Sequence, residues 1–225
     1  MISENLQIIF KELPPETKLV AVSKFHPLES ILEAVDAGQF RFGENRPQEF
    51  AKKVTAIREQ HPEIADRIEW HFIGHLQTNK LKLVLPYASM VQSVDSLHLL
   101  QAINDWGKAE GKTTDILLEI HIGAEETKQG FVEEEALDVL FNAEKYKNVR
   151  ICGLMGMATH TDEEEDIRAD FARISSFFGY CRELFPELES FRELSIGMSA
   201  DWRIALEYGA TIVRIGTAIF GERQY

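Results

Sequence analysis

Short apolar runs alternate with amphipathic stretches along the whole chain. The runs are rich in β-branched residues, which is typical of strands that are buried on both faces. Eight strands are predicted, at Leu19–Ser23, Phe40–Gly43, Glu69–Gly74, Met90–Val94, Ile116–Ile122, Val149–Met155, Leu194–Gly197 and Thr211–Gly216. Apolar residues at helical spacing predict helices at 2–12, 27–37, 47–60, up to about 85, 97–110, 132–146, from about 161 onward and up to 208. No stretch of the chain has the composition of a linker.

This regular alternation of strand and helix predicts a parallel sheet. Eight units fit a closed (β/α)8 TIM-type barrel better than an open sheet. An open doubly wound sheet stays an alternative, although the Gly-x-Gly-x-x-Gly turn expected after one of its strands is missing. Without a linker or low-complexity segment, residues 1–225 are predicted to form a single α/β domain that begins with a helix at about 2–12. Thr161 to Glu164 have the pattern of a capping box that would open the longest helix.

Composition narrows the classes of partner. Apolar residues make up 44% of the chain, and the net charge is −13. Such a charge repels phosphate backbones and anionic lipid, so neither nucleic acid nor a membrane is an expected partner. No apolar run approaches the roughly 20 residues that span a bilayer, and the N-terminus does not resemble a signal peptide. With two cysteines, which show no metal-ligand spacing, the chain is expected to be cytoplasmic with reduced thiols.

Lys24 is the first candidate for chemistry. It follows the apolar strand Leu19–Ser23, and Pro27, a residue suited to a first helical turn, comes three positions later. The residue therefore lies where a strand passes into a helix, the end of a barrel at which ligands bind. Partial burial there lowers the proton affinity of an amine, and a neutral amine attacks aldehydes. An ordinary surface lysine at a strand end is the alternative.

Two later stretches have the composition of a phosphate site. Barrels often bind phosphate at the loops after strands 7 and 8, through backbone N–H groups. The stretch 197–201 offers the Ser199 hydroxyl beside a helix start, and Gly216-Thr217 offer close backbone approach and a second hydroxyl. Arg214 ends an otherwise apolar strand and needs a partner, because an isolated buried guanidinium is costly. A lysine facing such a cradle suggests a phosphorylated aldehyde held as an imine.

Six colinear motifs carry a family resemblance. They are Ala21-Val-Ser-Lys24, Phe42-Gly-Glu-Asn45, His71-Phe-Ile-Gly-His-Leu-Gln77, Gly153-Leu-Met-Gly-Met157, Met198-Ser-Ala-Asp201 and Arg214-Ile-Gly-Thr217. Together they resemble the pyridoxal-phosphate homeostasis protein family over about residues 6–223. The resemblance implies a fold like the N-terminal barrel domain of alanine racemase and pyridoxal 5′-phosphate (PLP) as the cofactor.

The resemblance also implies roles for single residues. Lys24 would be the Schiff-base lysine, and Ser199, Gly216 and Thr217 would hold the phosphate. Arg214 would face the pyridine nitrogen, Met157 would lie near the ring face, and Asn45 would line the rim near the aldehyde. An arginine at the ring nitrogen discourages its protonation and weakens the ring as an electron sink.

The implied function is that of a carrier. Racemases with this barrel have a further C-terminal β-domain that dimerises them and supplies a second catalytic residue, whereas this chain stops at Tyr225. Since racemisation needs two positioned proton-transfer groups, the expectation is PLP homeostasis without turnover or catalytic residues, by a monomer that supplies apo-enzymes. A PLP-dependent racemase-like enzyme is the alternative, and an aldolase-type barrel that binds a sugar phosphate is a third hypothesis.

Other polar residues support less specific interpretations. His71 and His75 share a strand face, and polar lining of the barrel is favoured over a metal site, for which no third ligand stands out. Glu119 and His121 alternate with apolar residues, as polar positions inside a barrel do. Lys128 matches a loop motif of the family and could contact the cofactor pocket. Cys152 is expected to be a packing residue and not a nucleophile.

Overall fold

The apolar runs form the strands of a closed barrel in the computed structural model, which describes residues 1–123 and 129–222. Within this part of the chain, eight parallel strands follow one another in sequence order, and the last pairs with the first. The strands are β1 (Lys18–Val22), β2 (Arg41–Glu44), β3 (Glu69–Phe72), β4 (Met90–Val94), β5 (Thr114–Ile120), β6 (Val149–Gly156), β7 (Glu193–Ser195) and β8 (Ile212–Ile215). The fold predicted from the sequence, an α/β (β/α)8 barrel in one domain, is confirmed.

Helices cover the outside of the barrel. They are α1 (Ile2–Glu12), α2 (Leu28–Asp36), α3 (Pro47–Gln60), α4 (Pro62–Ala65), α5 (Leu81–Val84), α6 (Leu97–Glu110), α7 (Glu133–Phe141), α8 (Glu164–Leu184), α9 (Trp202–Glu207) and α10 (Thr217–Phe220), with short 3₁₀ turns at Thr78–Lys80 and Ala143–Lys145. None of these described helices combines the length and the apolar character that crossing a lipid bilayer requires.

Local signals explain several helix ends. The Ser96 hydroxyl accepts a hydrogen bond from the Leu99 N–H at 3.3 Å, which caps α6. At the other end of α6, Gly111 adopts a left-handed conformation with φ of +66°, as helix-terminating glycines commonly do. The capping box predicted at Thr161 to Glu164 is wrong. The helix begins only at Glu164, and the Thr161 hydroxyl accepts from the Glu163 N–H at 3.1 Å, which holds that segment in a turn.

Two apolar layers follow from the alternation of side chains along the strands. The larger layer lies between the sheet and the helices, and its aromatic members Phe42, Phe50, Trp70 and Phe72 pack edge to face or tilted. The smaller layer lies inside the barrel and consists of Val20, Met90, Leu117, Cys152, Met155 and Ile212, with Met157 against it. The barrel interior is therefore filled with side chains, as in other barrels of this type.

Gly153 is a point where the sheet tolerates no side chain. It lies in β6, where the register with β5 shifts by one residue, and its φ is +149°. A Cβ atom built there would lie 1.8 Å from the Glu193 carbonyl oxygen. The close approach of β6 and β7 thus depends on glycine at this position.

Candidate functional site

The carboxyl ends of the strands form one mouth of the barrel, and the predicted site residues collect there or just below it. Lys24 lies two residues beyond β1, Asn45 follows β2, and Met157 follows β6. Ser199 lies in the connection from β7 to α9, while Gly216 and Thr217 join β8 to α10. Arg214 lies deeper, within β8. Because β1 pairs with both β2 and β8, Lys24 stands between the strand ends that carry Asn45 and Gly216.

The turn after β8 concentrates backbone donors. The Ser199 hydroxyl accepts from the Gly216 N–H at 3.0 Å and lies 3.5 Å from the Ala218 nitrogen. A Cβ atom on Gly216 would meet the Val22 carbonyl oxygen of β1 at 3.3 Å, so this turn packs closely against the strand that leads to Lys24. The two N–H groups thus point at a single oxygen atom, an arrangement that is common in sites where proteins bind anions.

Gly197 and Asp201 hold the loop that carries Ser199 in place. Gly197 has a φ of +91°, and a Cβ atom there would lie 2.6 Å from the Cβ of Ala205. The buried Asp201 carboxylate accepts a hydrogen bond from the Met198 N–H. Burial raises the pKa of Asp201, an effect opposed by this hydrogen bond. The glycine and the carboxylate hold the loop against α9, which determines where the Ser199 hydroxyl lies.

Arg214 is buried and fixed by neutral partners. Its side chain donates from Nη1 to the Ser195 carbonyl at 2.7 Å and to the Ser195 hydroxyl at 2.6 Å, and from Nη2 to the Gly156 carbonyl at 2.9 Å. The residue is 3% exposed, and burial lowers the pKa of its guanidinium to about 10. The predicted need for partners is met, and the group stays cationic at neutral pH.

A chain of hydrogen bonds extends from Arg214 across the barrel interior. The Ser195 hydroxyl donates to Gln92 Oε1 at 2.6 Å, and Gln92 Nε2 donates to His71 Nδ1 at 2.7 Å. Burial lowers the pKa of His71 to about 3, so the imidazole is neutral and accepts this bond. His71 therefore lines the barrel, as predicted. Sequence reasoning missed Gln92 and Ser195, although both are polar residues within otherwise apolar strands.

Glu119 is a second titratable group inside the barrel. It is 6% exposed and pairs in register with Met155 of β6. Burial, with a smaller contribution from the charge of Asp95, raises the pKa of its carboxyl to about 7, while Arg214 acts in the opposite direction. Its charge therefore changes near neutral pH.

Glu119→Gln is expected to remove part of the pH dependence of stability of the ligand-free protein. Between about pH 4.5 and about pH 7, the folded chain retains a proton that the unfolded chain has released. This contribution to stability is complete below the unfolded pKa and is lost as the pH rises through the folded pKa. Relative to the variant, the wild type should lose on the order of 3 kcal/mol of unfolding free energy across this window.

Urea unfolding at about pH 5 and about pH 8 measures this difference. Glu110→Gln, which changes an exposed carboxylate at the end of α6, is the matched control and should leave the pH dependence unchanged. Equal pH dependence in wild type and Glu119→Gln would contradict the raised pKa.

The remaining polar candidates lie around the mouth or outside the described residues. His75 is half exposed, and its Nδ1 lies 3.0 Å from Asp95 Oδ2, while His121 Nε2 lies 3.0 Å from the Gly123 carbonyl. Lys128 falls within 124–128, outside the described residues, so its role stays a prediction. Cys152 lies in the interior apolar layer, and burial raises the pKa of its thiol to about 12.

A cluster of charged residues that was not predicted from the sequence lies beside the turn at Lys24. The Lys53 ammonium lies between Glu44 and Glu49, at 2.6 and 2.7 Å from their nearest carboxylate oxygens. Glu44 is completely buried and Lys53 is 7% exposed. A signal was available, because a lysine in α3 that adjoins the apolar positions Phe50, Val54 and Ile57 faces inward and then needs a counter-ion.

Comparison with known proteins identifies relatives that cover nearly the whole chain. The family model described as alanine racemase, N-terminal domain, matches residues 1–224. A pyridoxal phosphate homeostasis protein of Vibrio alginolyticus is 38% identical over 212 residues, which are 94% of this chain and 89% of the relative. A protein of the same name from Aquifex aeolicus is 40% identical over 214 residues, 92% of this chain and 88% of that protein.

Solved structures agree in fold. PipY of Synechococcus elongatus PCC7942, with PLP bound, superimposes with a TM-score of 0.88 at 32% identity and covers 98% of this chain and 100% of PipY. An alanine racemase of Corynebacterium glutamicum has a TM-score of 0.71 at 16% identity, and this chain spans 61% of it; that likeness shows the fold alone. The six motifs, the barrel and these identities lead to one assignment: the chain belongs to the pyridoxal phosphate homeostasis protein family and has the alanine racemase N-terminal fold.

Proposed function

We propose that the chain binds PLP covalently through Lys24 and takes part in intracellular PLP homeostasis as a carrier without turnover. The observation that carries the proposal is the position of Lys24. This partly buried residue lies at the mouth of the barrel, two residues beyond β1, and β1 packs against the turn at Gly216. The relative PipY, whose structure contains PLP, supports the same ligand for this chain.

The residues present suit the chemical groups of PLP. The phosphate would be held by the Ser199 and Thr217 hydroxyls and by the N–H groups around Gly216, which already converge on one oxygen. Asn45 Oδ1 is a buried acceptor that receives no hydrogen bond from the described part of the chain. Because an unpaired buried acceptor is costly, a donor on a ligand at the rim would stabilise this position.

Lys24 would hold PLP through a covalent bond between its side-chain nitrogen and the aldehyde carbon, with water as the product released. Bound PLP supplies a reactive aldehyde and a pyridine ring that stabilises carbanions when its nitrogen is protonated. Arg214 would oppose that protonation, since its guanidinium stays cationic and is fixed to Ser195 and Gly156. Met157 would pack near the ring face. These roles favour retention of the cofactor over carbanion chemistry.

Transfer of PLP tests the carrier role directly. The loaded protein is mixed with a PLP-free aminotransferase, and recovery of that enzyme's activity is followed alongside exchange of the α-hydrogen of amino acids by the carrier itself. We expect activity to recover, and exchange to be no faster than with free PLP. Exchange at enzyme-like rates would replace the carrier by the racemase-like alternative. Binding of a sugar phosphate in preference to PLP would favour the aldolase-type barrel.

We further predict that the protein is cytoplasmic and monomeric and that it delivers PLP to apo-enzymes in the cell. Both cysteines are buried and unpaired, which is compatible with a reducing compartment.

A further inference from the structure

The two peptide groups on either side of the Lys24 Cα are both held by α3. The carbonyl of Ser23, in the peptide group before Lys24, accepts from Lys53 Nζ at 2.7 Å. The N–H of Phe25, in the peptide group after it, donates to Glu49 Oε1 at 2.7 Å. Since peptide groups are planar, these two bonds fix the backbone around Lys24 and so the direction of its Cα–Cβ bond.

The two α3 residues are in turn locked to each other and to the barrel. Lys53 also donates to Glu49 Oε1 at 2.7 Å and to Glu44 Oε1 at 2.6 Å, so each of its three ammonium protons has an acceptor. The Ser23 hydroxyl donates to the same Glu44 oxygen at 2.7 Å. Buried charges with this many partners have little freedom to shift.

The turn is also held in a backbone conformation that its residue disfavours. Phe25 has a φ of +66°, and it is the non-glycine residue with positive φ among the residues described. A bulky side chain rarely adopts this region, so surrounding contacts must hold it there. The bond to Glu49 is one such contact, and the Arg46 guanidinium over the Phe25 ring, 4.5 Å from its centroid, is another.

We propose that Glu49 and Lys53 are positioning residues for Lys24, which direct its amine at the aldehyde of PLP; this inference rests on the proposed function. Glu49 and Lys53 both bind the backbone of this turn from α3, whereas the residues proposed for the phosphate lie after β7 and β8. The effect of Glu49 and Lys53 is therefore on covalent attachment, whereas the phosphate is bound by the turns after β7 and β8.

Glu49→Ala separates these two effects. The variant loses the acceptor for the Phe25 N–H, and the rate of covalent attachment of PLP is expected to fall about tenfold, the effect of one hydrogen bond to a charged group. Attachment is measured by borohydride trapping and mass spectrometry. The affinity for pyridoxine 5′-phosphate, which has an alcohol in place of the aldehyde, should stay unchanged.

Two further variants complete the experiment. Glu49→Gln retains a carbonyl oxygen for the Phe25 N–H and should restore most of the attachment rate. Glu59→Ala removes an exposed carboxylate from the same helix and should behave as the wild type. An equal loss of affinity for PLP and pyridoxine 5′-phosphate in Glu49→Ala, or an unchanged attachment rate, would overturn the positioning role. Absence of attachment in the wild type would overturn the proposed function and this inference together.

Discussion

Lys24→Ala is expected to abolish covalent attachment of PLP. The variant has no amine beyond the end of β1, next to the turn at Gly216, and so lacks the group that would bond to the aldehyde carbon. We therefore expect no borohydride-trapped adduct on the peptide that contains residue 24, loss of the visible absorbance of the bound cofactor, and at least about tenfold weaker binding of PLP. Mass spectrometry of the reduced protein identifies the modified residue.

Two variants serve as controls for this experiment. Lys52→Ala changes an exposed lysine of α3 and should leave the adduct intact. Ser199→Ala should still form the adduct on Lys24, but with about tenfold weaker binding, as expected for loss of one hydrogen bond to a charged group. An adduct of equal yield on another lysine in Lys24→Ala would remove Lys24 from its assigned role. Wild-type affinity in Ser199→Ala would contradict the phosphate position.

Gly153→Ala is expected to destabilise the fold by at least about 3 kcal/mol. The new methyl group would lie 1.8 Å from the Glu193 carbonyl oxygen at a φ of +149°, so β6 and β7 would have to separate. That separation also moves Ser195, whose pairing with Arg214 depends on β7. Urea unfolding followed by circular dichroism measures the loss.

Gly179→Ala is the matched control. Gly179 lies in α8, and a Cβ atom there would have nothing within 4 Å. Replacing an exposed helical glycine by alanine should stabilise the protein by up to about 1 kcal/mol. A Gly153→Ala variant that is as stable as Gly179→Ala would show that the register shift between β5 and β6 accommodates a side chain.

Most of the fold could be predicted because its signals are local. Each buried strand is an apolar run, and the prediction of β4 at Met90–Val94 and of α6 at Leu97–Glu110 is confirmed to the residue. Errors arose where a tertiary contact decides the outcome. β5 begins two residues earlier than predicted, at Thr114, because Thr114 and Asp115 pair with β6. The helix after it ends at Phe141 and a 3₁₀ turn completes the predicted stretch.

Candidate site residues could be predicted from the sequence only where a motif or a strand end marks them. Lys24, Ser199 and Gly216 follow strands, and the barrel topology brings strand ends together. The hydrogen-bonded chain from Arg214 to His71 uses residues from β3, β4, β7 and β8. Its pairing depends on strand register and side-chain reach, which no local pattern of the sequence contains. The same holds for Lys53, whose partner Glu44 lies on another element.

The filled interior of the barrel limits the routes by which a ligand can enter and leave. Val20, Met90, Leu117 and their neighbours fill the barrel interior, so a ligand that enters between the carboxyl ends of the strands would have to leave at the same end. Under the proposed function, PLP would therefore enter and leave at the same end of the barrel. An acceptor enzyme that took PLP by direct handover would have to dock over the loops around Lys24 and Ser199, and its footprint would block reloading until it left. Such a carrier would therefore deliver one molecule of PLP in each cycle of docking and release.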